Sequence, residues 1–209
     1  LDRARLAEPF RQIAAAARDA LGRDDVRRVL AVTVVFNVFG FPYMALVPVI
    51  ARDELGLAAT TVGAVTAIEG LFAFVGAVLL ARVTRAYHER RLYVAAVAGL
   101  LVTIGVLGLA TTAATLGAAL ALGGLAAAAF AAMQATLIYR IAPPAMRGRF
   151  LGLMTICIGA GVLGLANAGL TAELVGASTT LSIIAVEGAV LLALVARGWP
   201  ELRQPQPRP

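Results

Sequence analysis

Six long apolar stretches follow one another along this chain, and the connections between them are alternately rich and poor in arginine. The apolar stretches fall at Val29–Ala51, Thr61–Arg82, Leu92–Ala110, Ala114–Ile141, Phe150–Leu170 and Ala177–Ala196. Each reaches the ~20 residues a helix needs to cross a ~30 Å hydrocarbon core. The runs are continuously apolar and do not alternate, which argues for helices over barrel strands, because a helix satisfies its backbone donors and acceptors within one segment. The pattern predicts an all-α membrane protein of six transmembrane helices, a bundle over residues 29–197. Before it, residues 1–28 place Leu6, Phe10, Ile13, Ala17 and Leu21 at helical spacing among Arg3, Arg5, Arg11, Arg18, Arg27 and Arg28. This reads as a basic amphipathic cytoplasmic linker lying on the membrane surface, or as a solvated helical linker. After the bundle, residues 198–209 form a Pro- and Arg-rich cytoplasmic tail.

The connections set the expected orientation. Seven Arg precede the first span, four follow the second (Arg82, Arg85, Arg90, Arg91), three follow the fourth (Arg140, Arg147, Arg149) and three follow the sixth (Arg197, Arg203, Arg208). Only Arg52 falls on the other side. By the positive-inside rule the Arg-rich side is cytoplasmic, with both ends of the chain there.

Composition narrows the function classes. With 60% hydrophobic and 14% charged residues, the chain lies far from a soluble domain, which averages roughly 25% charged. The net charge of +6 would suggest nucleic acid in a soluble protein. Here the Arg residues sit between apolar runs without interleaved aromatics, so they read as topology signals and lipid-headgroup contacts, and no nucleic-acid partner is expected. A single Cys (Cys157) excludes an internal disulfide, and a single His (His88) excludes a His-rich metal or acid–base cluster. No metal or cofactor is expected. No cleavable signal peptide is visible, and the opening on Leu1 suggests a piece of a longer protein.

Within the spans, Gly and Ala abound, as in Gly159 to Gly164, and small residues let helix backbones approach closely in lipid. Gly40, Pro42 and Pro48 in the first span predict a bent or locally unwound helix, serving either as a packing kink or as the lining of a cavity. Two acids lie near the midplane. Glu69 is nine residues from Thr60 and thirteen from Arg82, about 14 Å and 20 Å along a helix, and Glu187 is nine from Ser178 and ten from Arg197. A charge at that depth costs roughly 2.5–3.5 kcal/mol on insertion scales, so each should be protonated, paired or facing water. Glu69 reads as a proton or cation-substrate site, or as a buried hydrogen-bonded structural acid. Asn37, Gln134 and Asn167 are also intramembrane, suited to a substrate path or to interhelical packing.

Three stretches resemble the major facilitator superfamily, in particular the C-terminal six helices of its enterobactin-exporter and macrolide-efflux branch. Asn37 to Pro42, continuing through Leu46-Val47-Pro48 to Ala51-Arg52-Asp53-Glu54-Leu55-Gly56, looks like that branch's seventh helix and following loop. Gly70 to Gly76 and on to Ala81-Arg82-Val83-Thr84-Arg85 has the shape of the eighth helix and the basic loop signature. Pro143 to Leu153 is similar to the cytoplasmic Arg-Gly-Arg turn, here Arg147-Gly148-Arg149. The resemblance implies the C-terminal half of a twelve-helix fold, with an inverted three-plus-three repeat over Val29–Ala110 and Ala114–Ala196. It also implies a missing N-terminal half as partner, a small-molecule substrate bound between the halves, and alternating access in a bacterial inner membrane. Arg82, Arg85, Arg147, Gly148 and Arg149 would make conformational contacts. At Ala81 the family's loop signature has an Asp, so the Asp-dependent gate does not carry over.

The expected function is proton-coupled efflux of small amphipathic or siderophore-like compounds, with Glu69, Asn37, Gly40, Pro42 and Gln134 along the path. A stand-alone six-helix homodimeric carrier or channel is the alternative. An intramembrane serine protease would need a base in the membrane, yet His88 lies in a loop. An aquaporin-like channel would need Asn-Pro-Ala turns, and Asn167-Ala168-Gly169 lacks the Pro.

Overall fold

The computed structural model describes residues 17–83, 89–199 and 202, and among these the backbone forms helices and no strand. Six helices are long and apolar enough to cross a bilayer. They are α1 (Asp24–Glu54), α2 (Ala59–Val83), α3 (Glu89–Leu107), α4 (Ala113–Ile141), α5 (Pro144–Val175) and α6 (Ala177–Arg197). One end of the bundle carries most of the arginines; the opposite end holds the connections between α1 and α2, α3 and α4, and α5 and α6.

Two helices exceed the spans that hydropathy marks by five residues or more at one end. α1 starts at Asp24, not Val29, because Asp24 and Asp25 occupy its first turn, where the helix dipole favours negative charge. Asp24 pairs with Arg27 (2.6 Å) and Arg28 (3.4 Å), and Asp25 reaches Arg90 of α3 at 3.5 Å. Exposed pairs of this kind contribute at most about 1 kcal/mol each, but they turn the last residues of the expected linker into helix. α5 runs on past Leu170 to Val175 and stops where Gly176 takes φ 84°, a left-handed conformation that suits glycine. Residues 17–21 form a further helical turn; the rest of the expected amphipathic segment, residues 1–16, lies outside the described residues.

α1 threads the bundle, touching all the other helices. α4 packs along α2 on one side and α3 on the other, α3 lies against α6, and α5 leans on α1 and α6. Glycines mark the seams. A Cβ on Gly124 of α4 would collide with the Glu69 carbonyl oxygen of α2 and lie 2.9 Å from the Ala73 amide nitrogen, and one on Gly108 of α3 would lie 2.6 Å from the Ser178 carbonyl of α6. Small residues here permit backbone contact that any side chain would prevent.

Burial repeats with a period of three helices. Of the most apolar stretch in each span, 50% is buried in α1 and α4, 11% and 22% in α2 and α5, and 44% and 33% in α3 and α6. This is the pattern a three-plus-three repeat produces. Large apolar side chains such as Phe74, Leu163, Leu174 and Val186 stand exposed on the bundle surface.

Candidate functional site

The break expected in α1 takes the form of a π-helical turn over Phe36–Gly40, closed by the Phe41 amide bonding to the Phe36 carbonyl at 2.9 Å. Pro42 has no amide to offer the Val38 carbonyl four residues back, so the α-helical ladder cannot continue there. Glycines from two other helices face this turn. A Cβ on Gly164 of α5 would fall onto the Val38 carbonyl, one on Gly161 would lie 3.4 Å from the Asn37 carbonyl, and one on Gly188 of α6 would lie 2.8 Å from the Phe39 Cβ. α5 carries its own break at Ala160, beside Gly161. Gly40 faces inward, with Leu100 of α3 close to it. Residues Tyr43–Val49 resume the α-helix beyond the break, with Pro48 inside it, and Ile50–Glu54 form a second π-helical turn.

On the Arg-rich side of the break, a buried polar network joins α1, α3 and α4. Thr33 donates from Oγ1 to the Val29 carbonyl at 2.9 Å, lies 2.8 Å from the Tyr93 hydroxyl, and accepts from Gln134 Nε2 at 3.3 Å. Asn37 Nδ2 donates to the Thr33 carbonyl at 2.8 Å. Beside the network, the Phe36 ring stacks on Phe130 with centroids 3.6 Å apart, and Tyr93 stacks on Phe130 at 5.2 Å. Asn37 and Gln134, expected along a substrate path, are thus buried and bonded within the bundle.

On the other side of the break lies Glu69. It is half-buried in α2, ten residues from Ala59 and so about 15 Å from that helix end. Tyr43, 2% exposed and one residue past Pro42, donates its hydroxyl to Glu69 Oε1. Gly124 of α4 backs the Glu69 main chain, and Gly123 lies beside the Tyr43 hydroxyl, its Cβ position 3.9 Å away. Glu69 and Tyr43 thus meet where α1, α2 and α4 come together, whereas Gly40 packs toward Leu100 of α3. Glu187 and Asn167 are exposed on the surfaces of α6 and α5, and neither has a hydrogen-bond or ion-pair partner among the described residues.

This bundle of six apolar helices can be compared with known proteins. A family model of the Major Facilitator Superfamily matches residues 29–209. The chain belongs to the Major Facilitator Superfamily. It is therefore a multi-pass membrane protein of a transporter family. No curated protein matches the chain.

At the Arg-rich end of this superfamily member, the Arg147-Gly148-Arg149 stretch is not the connecting turn itself. The turn is a 3-10 segment at Pro144–Met146, and Arg147 opens the following α-helix, because Pro143 and Pro144 suit a helix entry and end the α4 ladder. Arg147 lies over the Tyr139 ring at 5.9 Å, while Gly148 and Arg149 are exposed. Arg140 pairs with Glu89 at 3.2 Å, and Arg23 donates to the Ile141 carbonyl at 3.2 Å. Arg82 is exposed at the end of α2; Arg85 lies outside the described residues. At the opposite end, Glu54 of α1 accepts from the Ser178 amide at 3.2 Å and from the Ser178 hydroxyl. It serves as the cap that Gly176, which has no side chain, cannot provide for α6.

Sequence reasoning passed over Tyr43, Thr33, Tyr93 and Glu54. Tyr43 carried one available signal: it is the only ionisable side chain between Arg28 and Arg52.

Proposed function

We propose that the chain is one six-helix half of a proton-coupled exporter of small amphipathic or siderophore-like compounds. On this reading the exporter is of the enterobactin-exporter and macrolide-efflux kind, and it works by alternating access in a bacterial inner membrane with the Arg-rich end cytoplasmic. The observation that carries this reading is Glu69. It is a half-buried carboxyl about 15 Å from a helix end, next to a broken helix, on the span with the least surface buried inside the bundle. A carboxyl in such a place exchanges protons when its surroundings change from wet to dry, which is what coupling to a proton gradient requires.

The sparsely buried faces of α2 and α5 pack, on this reading, against the other six helices, with the substrate between the halves. Arg147, Arg149, Arg82 and Arg85 make contacts that change as the halves rock. Asn37 and Gln134 act by holding the inner part of α1 in place, and Gly40 and Pro42 by shaping the wall beside Glu69.

The test is Glu69→Gln in the full-length carrier, assayed by efflux of a fluorescent amphipathic dye from energised vesicles. Uphill efflux should fall at least tenfold with unchanged membrane expression; efflux at the normal rate would remove Glu69 from the coupling mechanism. Transport by the six-helix chain expressed alone would support the homodimeric alternative instead.

A further inference from the structure

The partner of Glu69 is as isolated as Glu69 itself. α2 packs chiefly against α4 and α1. α4 has no ionisable side chain from Ala113 to Ile138, and α1 has none between Arg28 and Arg52 other than Tyr43. Arg52 lies nine residues beyond Tyr43, about 14 Å along the helix. Among the described residues, Tyr43 is the titratable group that faces the Glu69 carboxyl, and its hydroxyl donates to Oε1. At 2% exposure the phenol has no water to replace that acceptor.

Its place in α1 matters as much as its chemistry. Tyr43 follows the π-helical turn and Pro42, so it sits on the segment whose orientation the break leaves to tertiary contacts. α1 and α2 otherwise touch little. A hydrogen bond to a carboxylate is roughly twice as strong as one to a neutral acceptor, so the tie between the two helices strengthens when Glu69 is ionised and weakens when it is protonated.

We propose that Tyr43 is the positioning residue for Glu69: its hydroxyl holds the carboxyl toward α1 and links the protonation of α2 to the outer segment of α1. This rests on the reading of Glu69 as a proton site. Glu69 is the group that exchanges the proton; Tyr43 aims it and senses its charge.

Infrared difference spectroscopy of the full-length carrier in proteoliposomes, between acid and alkaline buffer, separates the two ideas with protons as the only ligand. The wild type should show a protonated-carboxyl band that Glu69→Gln removes, together with a tyrosine ring band that Tyr43→Phe removes. The tyrosine band should also vanish in Glu69→Gln, because without a titrating partner the phenol has nothing to respond to. In Tyr43→Phe the carboxyl band should persist at higher frequency, having lost its donor. A tyrosine band that survives Glu69→Gln, or a carboxyl band unmoved by Tyr43→Phe, overturns the role of Tyr43 while leaving Glu69 as the proton site. Absence of any carboxyl band removed by Glu69→Gln overturns the proton-site reading itself, and the role of Tyr43 with it. The Glu69→Gln arm keeps Tyr43 intact, so survival of every tyrosine band in that variant overturns the role of Tyr43 even where Tyr43→Phe folds poorly.

Discussion

Replacing Thr33 with Val tests whether the buried network holds α1 in place. The two side chains have nearly the same shape, so the substitution removes a hydroxyl without opening a cavity. That hydroxyl has one proton and two lone pairs, and the structure uses all three: it donates to Val29 and accepts from Tyr93 and Gln134. In Thr33→Val the Tyr93 hydroxyl can fall back on the Val29 carbonyl, 3.3 Å away. Gln134, buried in α4, loses the Thr33 hydroxyl as its acceptor. Interhelical hydrogen bonds in bilayers average about 0.6 kcal/mol and reach about 1.7, so losing two predicts a destabilisation of about 1–2 kcal/mol. Gln134→Leu leaves the Thr33 hydroxyl with its Val29 and Tyr93 contacts and should cost less. The double variant should cost little more than Thr33→Val, since the orphaned amide is then gone, giving a coupling of about 0.5–1 kcal/mol. Equilibrium unfolding by steric trapping in bicelles measures all four members of the cycle. Strict additivity of the two substitutions, within about 0.3 kcal/mol, would show that the 3.3 Å contact contributes nothing and would refute the network as the anchor of α1.

Gly124→Ala should destabilise the bundle by about 1–3 kcal/mol, since its Cβ meets only backbone atoms of Glu69 and Ala73, whereas Gly70→Ala, facing open space on α2, should not destabilise it; thermal unfolding in detergent compares the two. Glu54→Ala should remove about 1 kcal/mol from the cap on α6, speeding amide exchange at Ala177 and Ser178 by roughly fivefold in deuterium-exchange mass spectrometry while exchange in α4 stays unchanged. Tyr139→Leu should leave stability within about 0.5 kcal/mol but free the Arg147 side chain, detectable as a gain in arginine side-chain mobility by NMR.

The six spans were legible because a bilayer demands length and continuous apolarity, and both are written linearly in the chain. Their ends were less so. Asp24 and Asp25 look like linker residues until Arg90, far along the chain, is placed beside Asp25. The break in α1 was readable from Gly40 and Pro42, since proline removes its bond wherever it stands; that glycines of α5 and α6 face the turn was not, because it depends on how the helices cross. Among the polar residues, Glu69, Asn37 and Gln134 were visible as interruptions of apolar runs. Hydropathy could not say that Glu69 meets a tyrosine, that Gln134 is enclosed, or that Glu187 points outward. In α2 the apolar residues are spread almost evenly round the axis, so its sequence gives little reason to prefer one face.

The Glu54–Ser178 cap has a consequence for biosynthesis. The two residues are separated by 124 positions. At a translation rate of about 5–20 residues per second, α1 waits roughly 6–25 s in the membrane before the residue it must cap is made. Through that interval every helix between them has to be inserted with α1 still unfastened at that end. Of these six helices it is therefore α6 that closes the bundle, and a ribosome that stalls before it leaves behind an open set of helices for quality control to remove.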